Sequence, residues 1–358
     1  MIRASAPGKL ILAGEHAAVY GRPALVAAVG VRTLVTIGAA GGAAVRLRLP
    51  DVGCEEETDW ETVREYGRRA RIAWSAYAEE PGPERLAALT TGDPAHVVKV
   101  ALAETARNLE VEPDGVAIDV RSELPVGAGF GSSASVAVAT IGALSVHLTD
   151  RVDPERVDGV ALEVERRQHG RPSGADHATV LHGGIQWFER DGEGNLLRDD
   201  LRFDPQRLAR LAVFHTGTPA ESTGELVEAV RRRFAARGEE LEEILADLES
   251  GVRALRAMLE SDRRASRGVR EVLTRYELGL ERLGVVPEAV RRSIRRVERA
   301  GGAAKISGAG ALSGSAAGAL LAYSGPDSTA LDSLEPYRRL NVELGAPGLR
   351  VEPHVERS

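Results

Sequence analysis

The sequence predicts a mixed α/β (α+β) protein in two parts, residues 1–190 and 191–358. Three observations predict it. Up to about Phe188, short β-type segments alternate with helical patterns. Beyond that point come long, charged, amphipathic helical stretches. Between the two, the turn cluster Asp191-Gly-Glu-Gly-Asn195 follows the apolar Ile185-Gln-Trp-Phe188. A chain of 358 residues is long enough for two domains with cores of their own.

In the first part, residues 10–12, 31–37, 45–49 and 115–122 read as strands; in the last of these, Val116, Ile118 and Val120 alternate with smaller or polar residues. Residues 59–76, 95–109, 133–148 and 154–167 carry helical patterns, and 39–44 is a turn between strands. In the second part, 207–215 reads as a strand, and 221–237, 239–261, 267–283 and 287–300 as helices. Their arginine and glutamate runs are solvated faces with i,i+4 pairs. A glycine-rich turn at 305–315 and a strand at 319–323 follow. The segment 50–94 is rich in acids and arginines and yields no assignable contact.

Composition narrows the class. The hydrophobic share of 43% and charged share of 28% are ordinary for a globular protein, and no uninterrupted apolar run approaches the roughly 18 residues of a membrane span, so no membrane role is expected. A net charge of -7 argues against general nucleic-acid binding. Met1 leads within a few residues into a motif, leaving no room for a signal peptide, and a cytoplasmic protein is expected. Cys54 is the single cysteine, so neither an internal disulfide nor a zinc site is expected. Lysine is rare: Lys9, Lys99 and Lys305 are the only three among 46 basic residues, and two of them lie in candidate site motifs.

Residues 123–135 read Glu-Leu-Pro-Val-Gly-Ala-Gly-Phe-Gly-Ser-Ser-Ala-Ser and run into the apolar helix. Gly127, Gly129 and Gly131 let the backbone turn tightly and approach a ligand, while the free amides and positive end of the helix face an anion. Ser132, Ser133 and Ser135 add hydroxyls. No Gly-Lys-Ser/Thr follows, so this is not a Walker loop, and the glycine spacing is not that of a dinucleotide fingerprint. Taken alone, a tight turn with a serine cap reads equally well.

Two further segments accompany it. Residues 6–21 read Ala-Pro-Gly-Lys-Leu-Ile-Leu-Ala-Gly-Glu-His-Ala-Ala-Val-Tyr-Gly, and residues 169–176 read His-Gly-Arg-Pro-Ser-Gly-Ala-Asp. In this order and spacing the three motifs resemble the GHMP kinases, and Gly-Glu-His-Ala-Ala-Val-Tyr-Gly resembles the mevalonate kinase branch. His215-Thr-Gly-Thr-Pro-Ala-Glu-Ser-Thr223 is also similar to that branch. The resemblance spans residues 6 to about 323. It implies a GHMP kinase fold, with an N-terminal domain like ribosomal protein S5 domain 2 and a ferredoxin-like C-terminal domain with added helices. It also implies ATP and Mg2+ as cofactors and phosphorylation of the primary hydroxyl of mevalonate.

The resemblance assigns roles. Gly127, Ala128, Gly129, Phe130, Gly131, Ser132 and Ser133 would cradle the triphosphate, with Ser122 as a further nucleotide contact. Ser133 and Glu165 would hold magnesium, which needs few protein oxygens beside phosphate and water. Asp176 would accept the proton of the substrate hydroxyl, with Lys9 stabilising its carboxylate and the transferring group. His16 and Thr223 are the candidates for the acceptor's carboxylate, and Glu15 either touches the substrate or orients Lys9. Without the resemblance, Glu165 reads as an exposed helical carboxylate, Ser133 as a cap and Asp176 as an Asx-turn residue. His96, His147, His177 and His182 read as structural, and His215 as a weaker site candidate.

One motif departs. In Lys305-Ile-Ser-Gly-Ala-Gly-Ala-Leu-Ser-Gly-Ser315, Gly308 and Gly310 are kept, but Ala311 and Leu312 stand where the family carries glycines. This leaves open another small alcohol as acceptor, such as phosphomevalonate or a sugar; phosphomevalonate would call on extra cations such as Arg22 or Arg171. A catalytically silent sensor is the reading from a different class, and the complete set Lys9, Ser133, Glu165 and Asp176 argues against it. The amphipathic helices suit a homodimer and equally suit packing on their own sheet.

Overall fold

The structure is a computed structural model and describes residues 1–89, 92–125, 129–261, 266–325 and 328–352. Gly127 and Ala128 of the expected cradle lie outside the described residues.

The chain opens with the long antiparallel pair β1 (Ile2–Ala13) and β2 (Ala24–Ala39). The hairpin β3 (Ala44–Leu49) and β4 (Cys54–Asp59) follows, then α1 (Trp60–Glu79), α2 (Pro83–Ala87), α3 (His96–Leu109) and β5 (Val116–Ser122). Next come α4 (Ser132–Thr149), α5 (Pro154–His169) and α6 (Ala175–His182), and the hairpin β6 (Ile185–Arg190) and β7 (Leu196–Asp200). The remainder runs β8 (Leu211–His215), α7 (Thr223–Phe234), α8 (Gly238–Glu260), α9 (Ser266–Leu283), α10 (Glu288–Arg299), β9 (Ala303–Ser307), β10 (Ala319–Tyr323), β11 (Arg338–Leu340) and β12 (Arg350–Glu352).

Local chemistry sets the boundaries. Asp59 caps α1 by accepting from the Thr62 amide at 2.7 Å, Asp153 caps α5 ahead of Pro154, and Ser222 with Glu225 forms a capping box on α7. In β3, Val45, Leu47 and Leu49 are buried while Arg46 and Arg48 face out to Glu57 and Asp119 at 2.9 and 2.8 Å. The acids of β4 thus belong to a charged edge strand, which discourages pairing with other chains.

Two sheets result. The larger has the order β12-β1-β2-β5-β3-β4, with β6 and β7 added to β2; β2 is long enough to pair β6 along Ala24 to Ala27 and β5 along Thr33 to Ala39. Only β3 and β5 pair in parallel among these strands. The smaller sheet is antiparallel with the order β11-β8-β10-β9, which in chain order is 4-1-3-2, the ferredoxin-like arrangement. Helices α7 to α10 fill its first crossover. The expected division near residue 190 falls at the tip of the β6–β7 hairpin, so the larger sheet runs on to Asp200, and it also takes in β12 from the far end of the chain.

One apolar core lies between the larger sheet and α1, α3, α4 and α5. A second joins that sheet's opposite face to the smaller sheet and α7 to α10. Helix α4 has the length and apolarity of a membrane span, and most of it is buried within the protein.

The β1–β2 ladder is bulged between Pro7 and Gly8, which face Arg32 and Val29 and leave Gly30 and Val31 of β2 unmatched. Before it, Ile2, Ala4 and Ala6 face the first core; after it, Leu10 and Leu12 face the second. The bulge reverses the alternation, so Lys9 and Ile11 point to the side of α6, where Ile11 packs near Ala175 and Ala178.

Candidate active site

Lys9 and Asp176 meet across this arrangement, Nζ to Oδ2 at 3.0 Å, with side chains 7% and 35% exposed. Asp176 is not an Asx-turn residue. It lies in the first turn of α6, behind Gly174, whose φ of 87° the preceding turn requires. The lysine is bonded to the Gly/Ser loop as well: its amide donates to the Phe130 carbonyl at 2.9 Å. A Cβ on Gly131 would lie 2.7 Å from Lys9 Cγ, so a glycine there makes room for the lysine stem. The Phe130 side chain itself is core.

Gly131 is the N-cap of α4, and Ser132 and Ser133 form its first turn, presenting free amides at the positive end of the dipole. Ser135, one turn on, donates to the Ala6 carbonyl at 2.9 Å and pins the helix to β1. Ser122 is engaged locally: its hydroxyl lies 3.0 Å from that of Thr33 and accepts from the Leu124 amide at 3.3 Å.

Glu165 is not an exposed helical carboxylate. It is buried, and Oε1 has no hydrogen-bond partner. Burial raises its pKa; His169 and the Ser133 hydroxyl oppose this and Asp176 adds to it. His169, one turn further along α5, places Nε2 3.1 Å from Ser133 Oγ and 3.8 Å from Glu165 Oε2. The residues fit a magnesium ion: an orphaned buried carboxylate oxygen beside a hydroxyl, at a helix end suited to phosphate. Among the described residues no cluster of three or more His, Cys, Asp or Glu forms a ready cage.

In the turn after β1, Glu15 pairs with Lys305 rather than Lys9, both side chains fully buried. His16 is buried and donates from Nε2 to the Ala309 carbonyl at 2.8 Å; burial lowers its pKa, and the bond to that carbonyl opposes the shift. Thr223 is exposed at the first position of α7 and is not brought against Lys9 or His16 by any bond. Its loop does reach the third glycine turn, where Ser313 donates to Glu221 at 3.0 Å. In that turn Ala311 is buried, its amide on Val285, and Leu312 is half exposed. Arg22 is engaged by Glu242 and by Glu249 at 3.0 Å on α8. His215 ends β8.

Sequence reasoning passed over His169 and Tyr276 as site residues, and marked Lys305 only as lying in a candidate site motif, with no role assigned. The signal for His169 was its i,i+4 spacing from Glu165 on one helix face.

The GHMP kinases N terminal domain family matches residues 95–184, which hold the Gly/Ser loop, Glu165 and Asp176. The mevalonate kinase of Thermococcus sibiricus is 30% identical over 321 residues, covering 86% of each chain. That of Thermococcus onnurineus is 30% identical over 269 residues, covering 73% of this chain and 71% of its own. The crystal structure of the Methanococcus jannaschii mevalonate kinase superposes with a TM-score of 0.74 at 20% identity, over 96% of this chain and 98% of that one. With the fold, the loop and the Lys9–Asp176 pair already in place, these likenesses establish that the chain belongs to the mevalonate kinase family of the GHMP kinases.

Proposed function

We propose that the protein transfers the γ-phosphoryl group of ATP to the primary hydroxyl of mevalonate, giving 5-phosphomevalonate and ADP, as a cytoplasmic enzyme. The observation that carries this is the Lys9–Asp176 pair at 3.0 Å, one partner sheltered and the other a third exposed.

Asp176 accepts the hydroxyl proton as the oxygen attacks phosphorus. Lys9 orients the Asp176 carboxylate and stabilises charge on the transferring group. The first turn of α4, with Ser132 and Ser133, binds phosphate oxygens through amides and hydroxyls. Ser133 and Glu165 would hold Mg2+, which when bound neutralises triphosphate charge. The His16 turn borders the acceptor, and the ring, its Nε2–H committed to Ala309, offers a substrate hydroxyl the lone pair of Nδ1.

The altered third turn favours one second reading, a different small alcohol. Against phosphomevalonate, the Arg22 guanidinium is already neutralised by two glutamates. The test is ADP release from MgATP with mevalonate, 5-phosphomevalonate, galactose or homoserine. A rate with mevalonate alone supports the reading, and a rate with another acceptor alone replaces the substrate.

A further inference from the structure

The Gly14-Glu15-His16 turn is conformationally demanding: Gly14 has φ 123° and His16, which carries a Cβ, has φ 57°. Such a backbone persists only where its surroundings over-determine it. Here the surroundings come from the smaller sheet and the helix beneath it. Tyr276 of α9 accepts from the Gly14 amide at 2.7 Å and donates to the Glu15 carbonyl at 3.4 Å. Lys305 of β9 pairs with the Glu15 carboxylate, donates to the Ile306 carbonyl at 2.7 Å and lies 5.3 Å from the centre of the Tyr276 ring. Ser307 donates to the Ile11 carbonyl at 2.9 Å, and Glu277 braces β9 by accepting from the Ile306 amide at 3.0 Å. With Glu15 and Lys305 both 0% exposed, water cannot substitute for a lost partner.

The nucleotide side is braced by different bonds, Lys9 to Phe130 and Ser135 to Ala6, none of which involves Tyr276 or Lys305. We propose that Tyr276 and Lys305 are positioning residues for the phosphoryl acceptor: they set the Gly14-Glu15-His16 turn, and through it the His16 ring, without touching either substrate. This rests on the reading that the acceptor lies beside His16.

The experiment compares Tyr276→Phe and Lys305→Arg with the wild type, using whichever acceptor the wild type phosphorylates. Tyr276→Phe is expected to raise the acceptor KM about five- to tenfold, the effect of one buried hydrogen bond, while the MgATP KM stays near wild type and the Tm falls modestly because the Gly14 amide is left unpaired. Lys305→Arg, which keeps the charge but sets a larger, planar group in the sealed place of the ammonium, is expected to raise the acceptor KM as well, with the MgATP KM near wild type. An unchanged acceptor KM with a lowered Tm, or an equal rise in both KM values, overturns the proposal. A second readout needs no turnover: the His16 imidazole resonances, assigned with His16→Gln, should shift in Tyr276→Phe while those of His169 hold. Unmoved His16 resonances overturn the proposal even if the acceptor proves to be a different alcohol; a wild type inactive on mevalonate overturns only the substrate.

Discussion

Lys9 with Asp176 and Lys305 with Glu15 are the same two functional groups in different surroundings. The first pair leaves Asp176 a third exposed, so a hydroxyl can reach the carboxylate and a proton can leave it. The second pair is sealed at 0% exposure on both sides and can only hold its neighbours in place. The third lysine, Lys99, bridges Glu56 and Asp93 at 2.9 and 2.8 Å on the rim of the first core. Pairing with a carboxylate is therefore common to all three; access separates the open pair from the sealed one.

The largest expected effect falls on the open pair. Asp176→Ala should lower kcat by about 10³-fold, as loss of a general base does, with MgATP affinity by calorimetry near wild type. Retention of most of the rate would remove the functional difference between the pairs. Stability should show the reverse ranking. Lys305→Met strands the Glu15 carboxylate in the interior and should cost about 3–5 kcal/mol in denaturant unfolding. Lys9→Met leaves Asp176 partly solvated and should cost about 1 kcal/mol or less. Equal losses would mean that exposure is not what distinguishes them.

A smaller effect concerns Glu165. Glu165→Gln should raise the magnesium concentration for half-maximal rate by at least about tenfold, read from magnesium titrations at saturating ATP. An unchanged titration would return Glu165 to a purely structural role. The smallest effect lies next to the sealed pair. Burial pushes the Glu277 carboxyl well above its ordinary 4.5; the Ile306 amide and Lys305 oppose this, and Glu281 and Glu15 add to it. The folded protein thus keeps a proton that the unfolded chain releases. The associated stability is fully present below about pH 4.5 and declines as pH rises through the raised pKa. Glu277→Gln should flatten that decline in thermal melts from acid to alkaline pH; a slope identical to wild type would show that the carboxyl does not titrate differently on folding.

The open pair was legible in the sequence because Lys9 and Asp176, like Ser133, each sit inside a short motif; Glu165 lies outside them and was placed only by the resemblance. The sealed pair was not. Glu15 and Lys305 are 290 positions apart, and no periodicity links a turn after β1 to the start of β9. Helices with long apolar patterns, such as α4 and α8, were readable to within a residue or two at their ends. Helix α6 was not, because eight residues behind a Pro-Ser-Gly break carry too little pattern to separate helix from turn. Strand β12 has only Arg350, Val351 and Glu352, and it is a strand because β1 offers an edge, not because its residues prefer one.

The bulge at Pro7 and Gly8 makes the address of the lysine a matter of odd and even. Because strand side chains alternate, inserting one residue between this bulge and Lys9 would move Lys9 into the place of Leu10, and deleting one would move Leu10 into the place of Lys9. The first would bury an ammonium among Leu12, Leu25 and Phe130, and the second would set an isobutyl group against Asp176. This stretch of β1 can therefore tolerate changes of residue type far better than changes of length, and an indel scan through it should inactivate at a single added residue.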